Sequence, residues 1–233
     1  MNCEIQIISI EGNIGSGKST LLAYLKTYFN DHENIIFLNE PVDEWAKITD
    51  ETGTTILEKF YADQEKYSFS FQMMAYISRL KLLINSIKDI KSSCSTSKIN
   101  KYFIITERSL YTDKMVFAKM LYDSGKIETI NYQIYLNWFD VFVHDYNVNK
   151  IIYVNTDPDI CYKRIGKRNR NGEDKIPLEY LKNCHTYHNS MLDKSSQECV
   201  CNNQLILNGN VDIYENERIL NKWVSVIKKF IFE

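Results

Sequence analysis

Residues 12–19 read Gly12-Asn13-Ile14-Gly15-Ser16-Gly17-Lys18-Ser19, the spacing G-x-x-x-x-G-K-[ST], directly after the apolar run at 5–10. Glycines so placed let successive backbone N–H groups turn toward an anion. Lys18 adds a point charge for β- and γ-phosphates, and the Ser19 hydroxyl is a ligand for Mg²⁺. Leu21, Leu22 and Leu25 then recur at helical spacing, so a helix begins at the loop with its positive end toward the phosphates. This segment predicts a site for a nucleoside triphosphate. The acceptor of its phosphate, whether water, protein or small molecule, must be read elsewhere.

Three further segments carry chemistry. Glu40-Pro41-Val42-Asp43-Glu44-Trp45 follows a strand-like run. Pro41 restrains Glu40 to extended backbone, at the carboxyl edge of the sheet where ligands bind in open α/β folds. A carboxylate there can take the proton of an attacking hydroxyl, although a solvated loop acid would look the same. Thr106-Glu107-Arg108-Ser109 ends another strand and suits a carboxylate in a Mg²⁺ shell beside a guanidinium near the transferred phosphoryl. Lys163-Arg164-Ile165-Gly166-Lys167-Arg168-Asn169-Arg170, followed by Asn171-Gly172-Glu173-Asp174, packs cations between glycines and reads as a lid over 164–174 that closes on triphosphate oxygens.

The elements that must hold these groups are short β-branched strands at 6–10, 35–38, 103–106, 151–154 and 205–207. Between them lie helical patterns at 19–29, 67–87, 113–123, 130–146, 158–167, 178–192 and 213–232. This alternation predicts an α/β fold of the P-loop NTPase type, a parallel five-stranded sheet in a three-layer arrangement. The polar stretches at 89–98 and 193–204 read as surface loops, and 233 residues at 44% hydrophobic content suit a single domain over 1–233. A formal net charge of −2 gives no general attraction to nucleic acid or anionic membrane. No secretory or membrane-spanning run is legible, so a cytoplasmic location is expected. The six cysteines form no C-x-x-C pair and read as reduced thiols.

Together the segments resemble the eukaryotic-type deoxynucleoside kinase family, of the deoxycytidine kinase and deoxyguanosine kinase type. The resemblance spans nearly the whole chain. It rests on the phosphate loop, Glu40-Pro41-Val42 with Trp45, Tyr61, Tyr67-Ser68-Phe69-Ser70-Phe71-Gln72, Arg79, Glu107 through Asp113, the arginine lid, and Ile176-Pro177-Leu178-Glu179-Tyr180-Leu181.

The resemblance implies a kinase that moves the γ-phosphate of ATP to the 5′-hydroxyl of a deoxynucleoside. Glu40 would accept the proton, with Glu107 the second candidate, and Arg108 would steady both Glu40 and the phosphoryl group. Gly12 through Thr20, Arg164, Arg168, Arg170 and Asp212 would serve ATP, and Ser19 and Glu107 would flank Mg²⁺. Tyr61 and Glu173 would hold the 3′-hydroxyl; Trp45, Phe71, Gln72, Ala75, Arg79 and Asp113 would surround the base. The Arg79–Asp113 pair and Ala75 favour deoxycytidine, with deoxyadenosine and deoxyguanosine next. Aromatic residues at 132–146 leave that helix little polar face, consistent with the homodimer that the resemblance implies, a monomer with a well-covered bundle being the alternative. A nucleoside monophosphate kinase of thymidylate kinase type and a catalytically silent kinase-like subunit are the alternatives.

Overall fold

A computed structural model describes residues 3–94, 99–168, 173, 176–213 and 216–233. Strands β1 (Glu4–Glu11), β2 (Ile35–Leu38), β3 (Lys101–Glu107), β4 (Lys150–Asn155) and β5 (Gln204–Asn208) form one sheet, ordered β2-β3-β1-β4-β5, with every pairing parallel. All five expected strands are present. Side chains alternate across the sheet with period two. Ile8 and Ile10 meet Leu21, Leu22 and Leu25 of α1 (Lys18–Tyr28) and Trp223, Val224 and Ile227 of α10 (Glu217–Phe232). On the other face Ile7 and Ile104 meet Tyr76, Leu80 and Leu83 of α4 (Gln64–Ser93) and Tyr135 and Phe139 of α7 (Thr129–Val143). Each such side chain contributes roughly 1.5–3 kcal/mol when fully buried. These two apolar layers hold the sheet whose carboxyl edge carries the reactive groups.

The remaining helices are α2 (Val42–Trp45), α3 (Ile56–Ala62), α5 (Leu110–Thr112), α6 (Lys119–Asp123), α8 (Pro158–Arg168) and α9 (Leu178–Leu192). Helix α4 is longer than its expected 67–87. Asp63 caps it by accepting a hydrogen bond from the Lys66 N–H at 3.2 Å, and buried Ile90 carries it to Ser93, through residues expected to be loop. The helix expected at 113–123 starts earlier, where the Ser109 side chain caps α5, and its middle is a π-helical turn, Asp113–Ala118. Such wide turns are frequent at functional sites. The short α2 and α3 were not anticipated; α3 opens on a capping box formed by Thr55 and Glu58.

The reading of all cysteines as reduced is corrected for one pair. Cys3 and Cys94 form a disulfide that pins the start of β1 to the end of α4 across a sequence separation of 91, a proximity set by packing that no spacing rule reveals. Cys161, Cys184, Cys199 and Cys201 are free. Among the described residues, no helix is long and apolar enough to cross a membrane.

Candidate active site

The carboxyl ends of β1, β2 and β3 open on one cavity of about 500 Å³, lined by the phosphate loop, Glu40, Glu107, Arg108 and the aromatic and polar residues of α3 and α4. Its size suits one small ligand with a few convergent polar groups.

The phosphate loop is shaped by close approach. At Gly12, with φ 146°, an added Cβ would lie 2.6 Å from the Val154 carbonyl; at Gly15, with φ 77°, it would lie 2.7 Å from that of Cys161. Only glycine fits both the space and the backbone there. Asn13 ties the loop to α9 through its Nδ2, which donates to the Leu181 carbonyl at 2.8 Å, while its Oδ1 accepts from the Ile14 N–H. The Ser16 hydroxyl is buried without a partner, a polar group aimed at nothing the described residues supply. Arg164 donates to the carbonyls of Ser16, Gly209 and Val211, so it braces the loop from behind while still lining the cavity. Thr20 and the exposed Asp212 line the same cavity.

Lys18 is buried and donates to the Asn13 carbonyl at 2.7 Å. Burial, with the Arg108 guanidinium nearby, pulls its ammonium down to about 8 against the opposing pull of Glu107 and Glu40. Phosphate oxygens favour the charged form and would push it back up. Binding of a non-hydrolysable ATP analogue at pH 8 should therefore take up roughly half a proton per site, and almost none at pH 6, where Lys18 is already charged. Calorimetry at each pH in two buffers of different ionisation enthalpy reads this; equal apparent enthalpies at pH 8 would contradict it.

The Ser19 hydroxyl donates to Glu107 Oε1 at 2.6 Å, at the first turn of α1. Two adjacent hard oxygen donors beside a phosphate cradle fit Mg²⁺, which takes few protein ligands and keeps its other positions for water and phosphate oxygens.

Glu40 stands between two guanidiniums. Arg79 Nη2 lies 3.1 Å and Arg108 Nε 3.2 Å from Glu40 Oε1. Burial pushes the Glu40 carboxyl up, but Arg108, Arg79 and Lys18 outweigh it and leave the group at about 2. Arg79 also donates through Nε to Asp113 at 2.9 Å and through Nη1 to the Glu107 carbonyl at 2.6 Å. Burial pushes the Asp113 carboxyl up in spite of Arg79. Arg108 has φ 65°, the one positive φ outside glycine among the described residues. That conformation costs about 1–2 kcal/mol. Its Nη1 donates to the Gly12 carbonyl at 2.7 Å and its guanidinium lies 4.9 Å over the Phe117 ring. His188, buried and held neutral by burial and by Arg108, stands 3.5 Å from the same Nη1.

Beyond this cluster lies an aromatic box. Phe71 stacks on Phe60 with centroids 4.5 Å apart and meets Trp45 edge-on at 5.6 Å. The Trp45 indole N–H donates to Ser78 at 2.9 Å. Gln72 is buried beside them, and its Oε1 has no partner; an unsatisfied amide in a cavity is a group prepared for a ligand. Ala75 is the small neighbour that keeps the box open. Burial and nearby Glu173 push the Tyr61 hydroxyl far up, so it remains a neutral donor. Glu173 is buried and bonded to Arg168 through Nε at 3.0 Å and also through Nη2. Arg170 and Gly172, expected in the lid, lie outside the described residues.

Every described residue expected to bind ATP, metal or nucleoside lines one cavity, apart from Gly12 and Asn13, which lie behind it and shape the loop. Phe60, Ser78, Phe117 and His188 were missed, and Tyr180 was read only as part of a motif with no role in the site. Nothing in their local sequence marks them, and only the fold brings them here. A triphosphate cradle, an ionised carboxylate between arginines and an aromatic pocket define a P-loop phosphotransferase that acts on a small ring-bearing acceptor.

Residues 8–232 match the deoxynucleoside kinase family. The chain is 33% identical over 229 residues to a probable deoxycytidine kinase of fowlpox virus (strain NVSL), covering 97% of this chain and 88% of that protein. It is 34% identical over 204 residues to deoxycytidine kinase of Homo sapiens (81% and 75%), and 28% identical over 251 residues to the mitochondrial deoxyguanosine kinase of Xenopus laevis (99% and 92%). The chain belongs to the deoxynucleoside kinase family and is an ATP-dependent deoxynucleoside kinase.

Proposed function

We propose that deoxycytidine is its first acceptor, with deoxyadenosine and deoxyguanosine next, in nucleotide salvage. The observation that carries this is the partnerless Gln72 Oε1 in one cavity with the Arg79–Asp113 pair. Cytosine offers an exocyclic amine and a ring nitrogen acceptor, which an amide can answer bidentately and the Asp113 carboxylate can reinforce. Thymine would turn a carbonyl toward that carboxylate. Two of the relatives are named for deoxycytidine and a third for deoxyguanosine. Competition among the four deoxynucleosides should give deoxycytidine the highest kcat/KM and thymidine at least about tenfold less; thymidine in first place would overturn this preference.

In the reaction, Glu40 receives the 5′-hydroxyl. A carboxylate held near 2 is a weak base before transfer begins. It suits a loose transition state, in which the hydroxyl proton leaves late and orientation matters more than basicity. Arg108, anchored on Gly12, meets the charge of the transferring phosphoryl together with Lys18. Mg²⁺, held by Ser19 and Glu107, would supply charge neutralisation of the phosphates. Tyr61 and Glu173 take the 3′-hydroxyl, and Arg168 and Arg170 close the lid.

We infer a homodimer and a cytoplasmic location. Support for the dimer lies on α7, where Ile130, Ile134, Trp138 and Val141 are 40–70% exposed along one stripe. Ile77 is equally bare on α4, which packs against α7 through Tyr76. Contiguous apolar surface of this kind marks an association site. Sedimentation should give twice the chain mass, and Trp138→Glu with Val141→Glu should give monomers; an unaltered monomer in both would contradict it.

A further inference from the structure

Glu11, the last residue of β1, is fully buried and does not line the cavity. Its Oε1 accepts from the Ser9 hydroxyl at 2.5 Å and from the Ser109 backbone N–H at 2.9 Å, and its Oε2 accepts from the Thr112 hydroxyl at 2.5 Å. No Lys or Arg forms an ion pair with it among the described residues. An acid buried with hydrogen-bond donors and no counter-charge is a costly way to fill a core position, since an apolar side chain of the same shape avoids the desolvation. Its donors show what it holds. Ser109 and Thr112 bracket the single turn that follows Arg108, and the Arg108 N–H itself donates to the Ile10 carbonyl at 3.0 Å. The peptide units on both sides of Arg108 are thereby fastened to β1, one to its backbone and the other to its terminal carboxylate. Between them Arg108 is kept in the left-handed conformation that sends its guanidinium to Gly12 and Glu40. Strained backbone persists only where its surroundings over-determine it.

We propose that Glu11 is a positioning residue for phosphoryl transfer, a carboxylate clamp that fixes the aim of Arg108. This rests on the reading of Arg108 as a group that meets the transferring phosphoryl. The clamp faces the turn and not the pocket, so its loss acts on kcat and leaves nucleoside binding alone.

The test is a double-mutant cycle. Glu11→Gln keeps the shape and removes the charge; Thr112→Val removes one donor from the opposite side while keeping the volume. Each is expected to lower kcat about tenfold, a fraction of what an ångström of misalignment can cost, with deoxynucleoside Kd unchanged within twofold. In an Arg108→Ala background neither should lower kcat further. If Arg108→Ala lowers kcat while the two variants act multiplicatively with it, or leave kcat unchanged alone, Glu11 is a core residue only and the proposal fails. If Arg108→Ala is itself fully active, the underlying reading of Arg108 fails instead. Should Glu11→Gln not fold, Thr112→Val and its double variant decide.

Discussion

Replacing Glu40 by glutamine is expected to lower kcat at least about 100-fold while the fold is retained. The amide oxygen can still accept from Arg79 and Arg108, and neither guanidinium depends on Glu40 alone. Arg79 keeps Asp113 and the Glu107 carbonyl, and Arg108 keeps Gly12. What is lost is the negative charge that receives the hydroxyl proton. Steady-state kinetics beside a thermal melt separate the two effects. If Glu40→Gln stays within a few-fold of wild type and Glu107→Gln abolishes turnover, the proton goes to Glu107, which already bonds Ser19.

The second large effect concerns the base. Arg79→Met with Asp113→Ala should raise the thymidine-to-deoxycytidine ratio of kcat/KM at least about tenfold, because lost polar recognition discriminates more than a methylene does. Both partners must go, since Arg79→Met alone would strand a buried carboxylate. The geometry adds a cost that the pairing alone does not suggest. Arg79 also holds Glu40 at 3.1 Å and the Glu107 backbone at 2.6 Å, so kcat should fall for every acceptor. With one guanidinium gone, the Glu40 carboxyl rises from about 2 toward the ordinary carboxylate range, and the acidic limb of the pH profile moves to higher pH. The ratio isolates recognition from this loss. A double variant with an unchanged ratio would remove Arg79 and Asp113 from base selection.

The parts of this site that the sequence reveals are those encoded by neighbouring residues. The phosphate loop, Glu40 beside Pro41 and the Glu107-Arg108 pair each announce themselves within a few positions of a strand end. Gln72 and Arg79 share a helical face seven residues apart, and both line the cavity. What stayed hidden depends on packing between distant segments. His188 is 80 residues from Arg108, and Glu11 is 98 from Ser109. The Cys3–Cys94 bond closes a separation of 91. The extra turns of α4 had a similar origin: a polar run reads as loop until Ile90 is seen to pack beneath it. Arg164 was expected to serve ATP as part of a cationic lid; it does line the cavity, but its guanidinium also donates to the backbone carbonyls of Ser16, Gly209 and Val211, which its place in a cationic run does not foretell. Charge along the chain does not reveal which way a side chain turns.

Incubation with γ-labelled ATP and Mg²⁺, with each of the four deoxynucleosides and each of their 5′-monophosphates as acceptor, tests the central claim most directly. Label should appear on the 5′-position of deoxynucleosides, deoxycytidine foremost, and the monophosphates should remain unlabelled. Label confined to monophosphates, or transferred to no acceptor at all, would contradict the account.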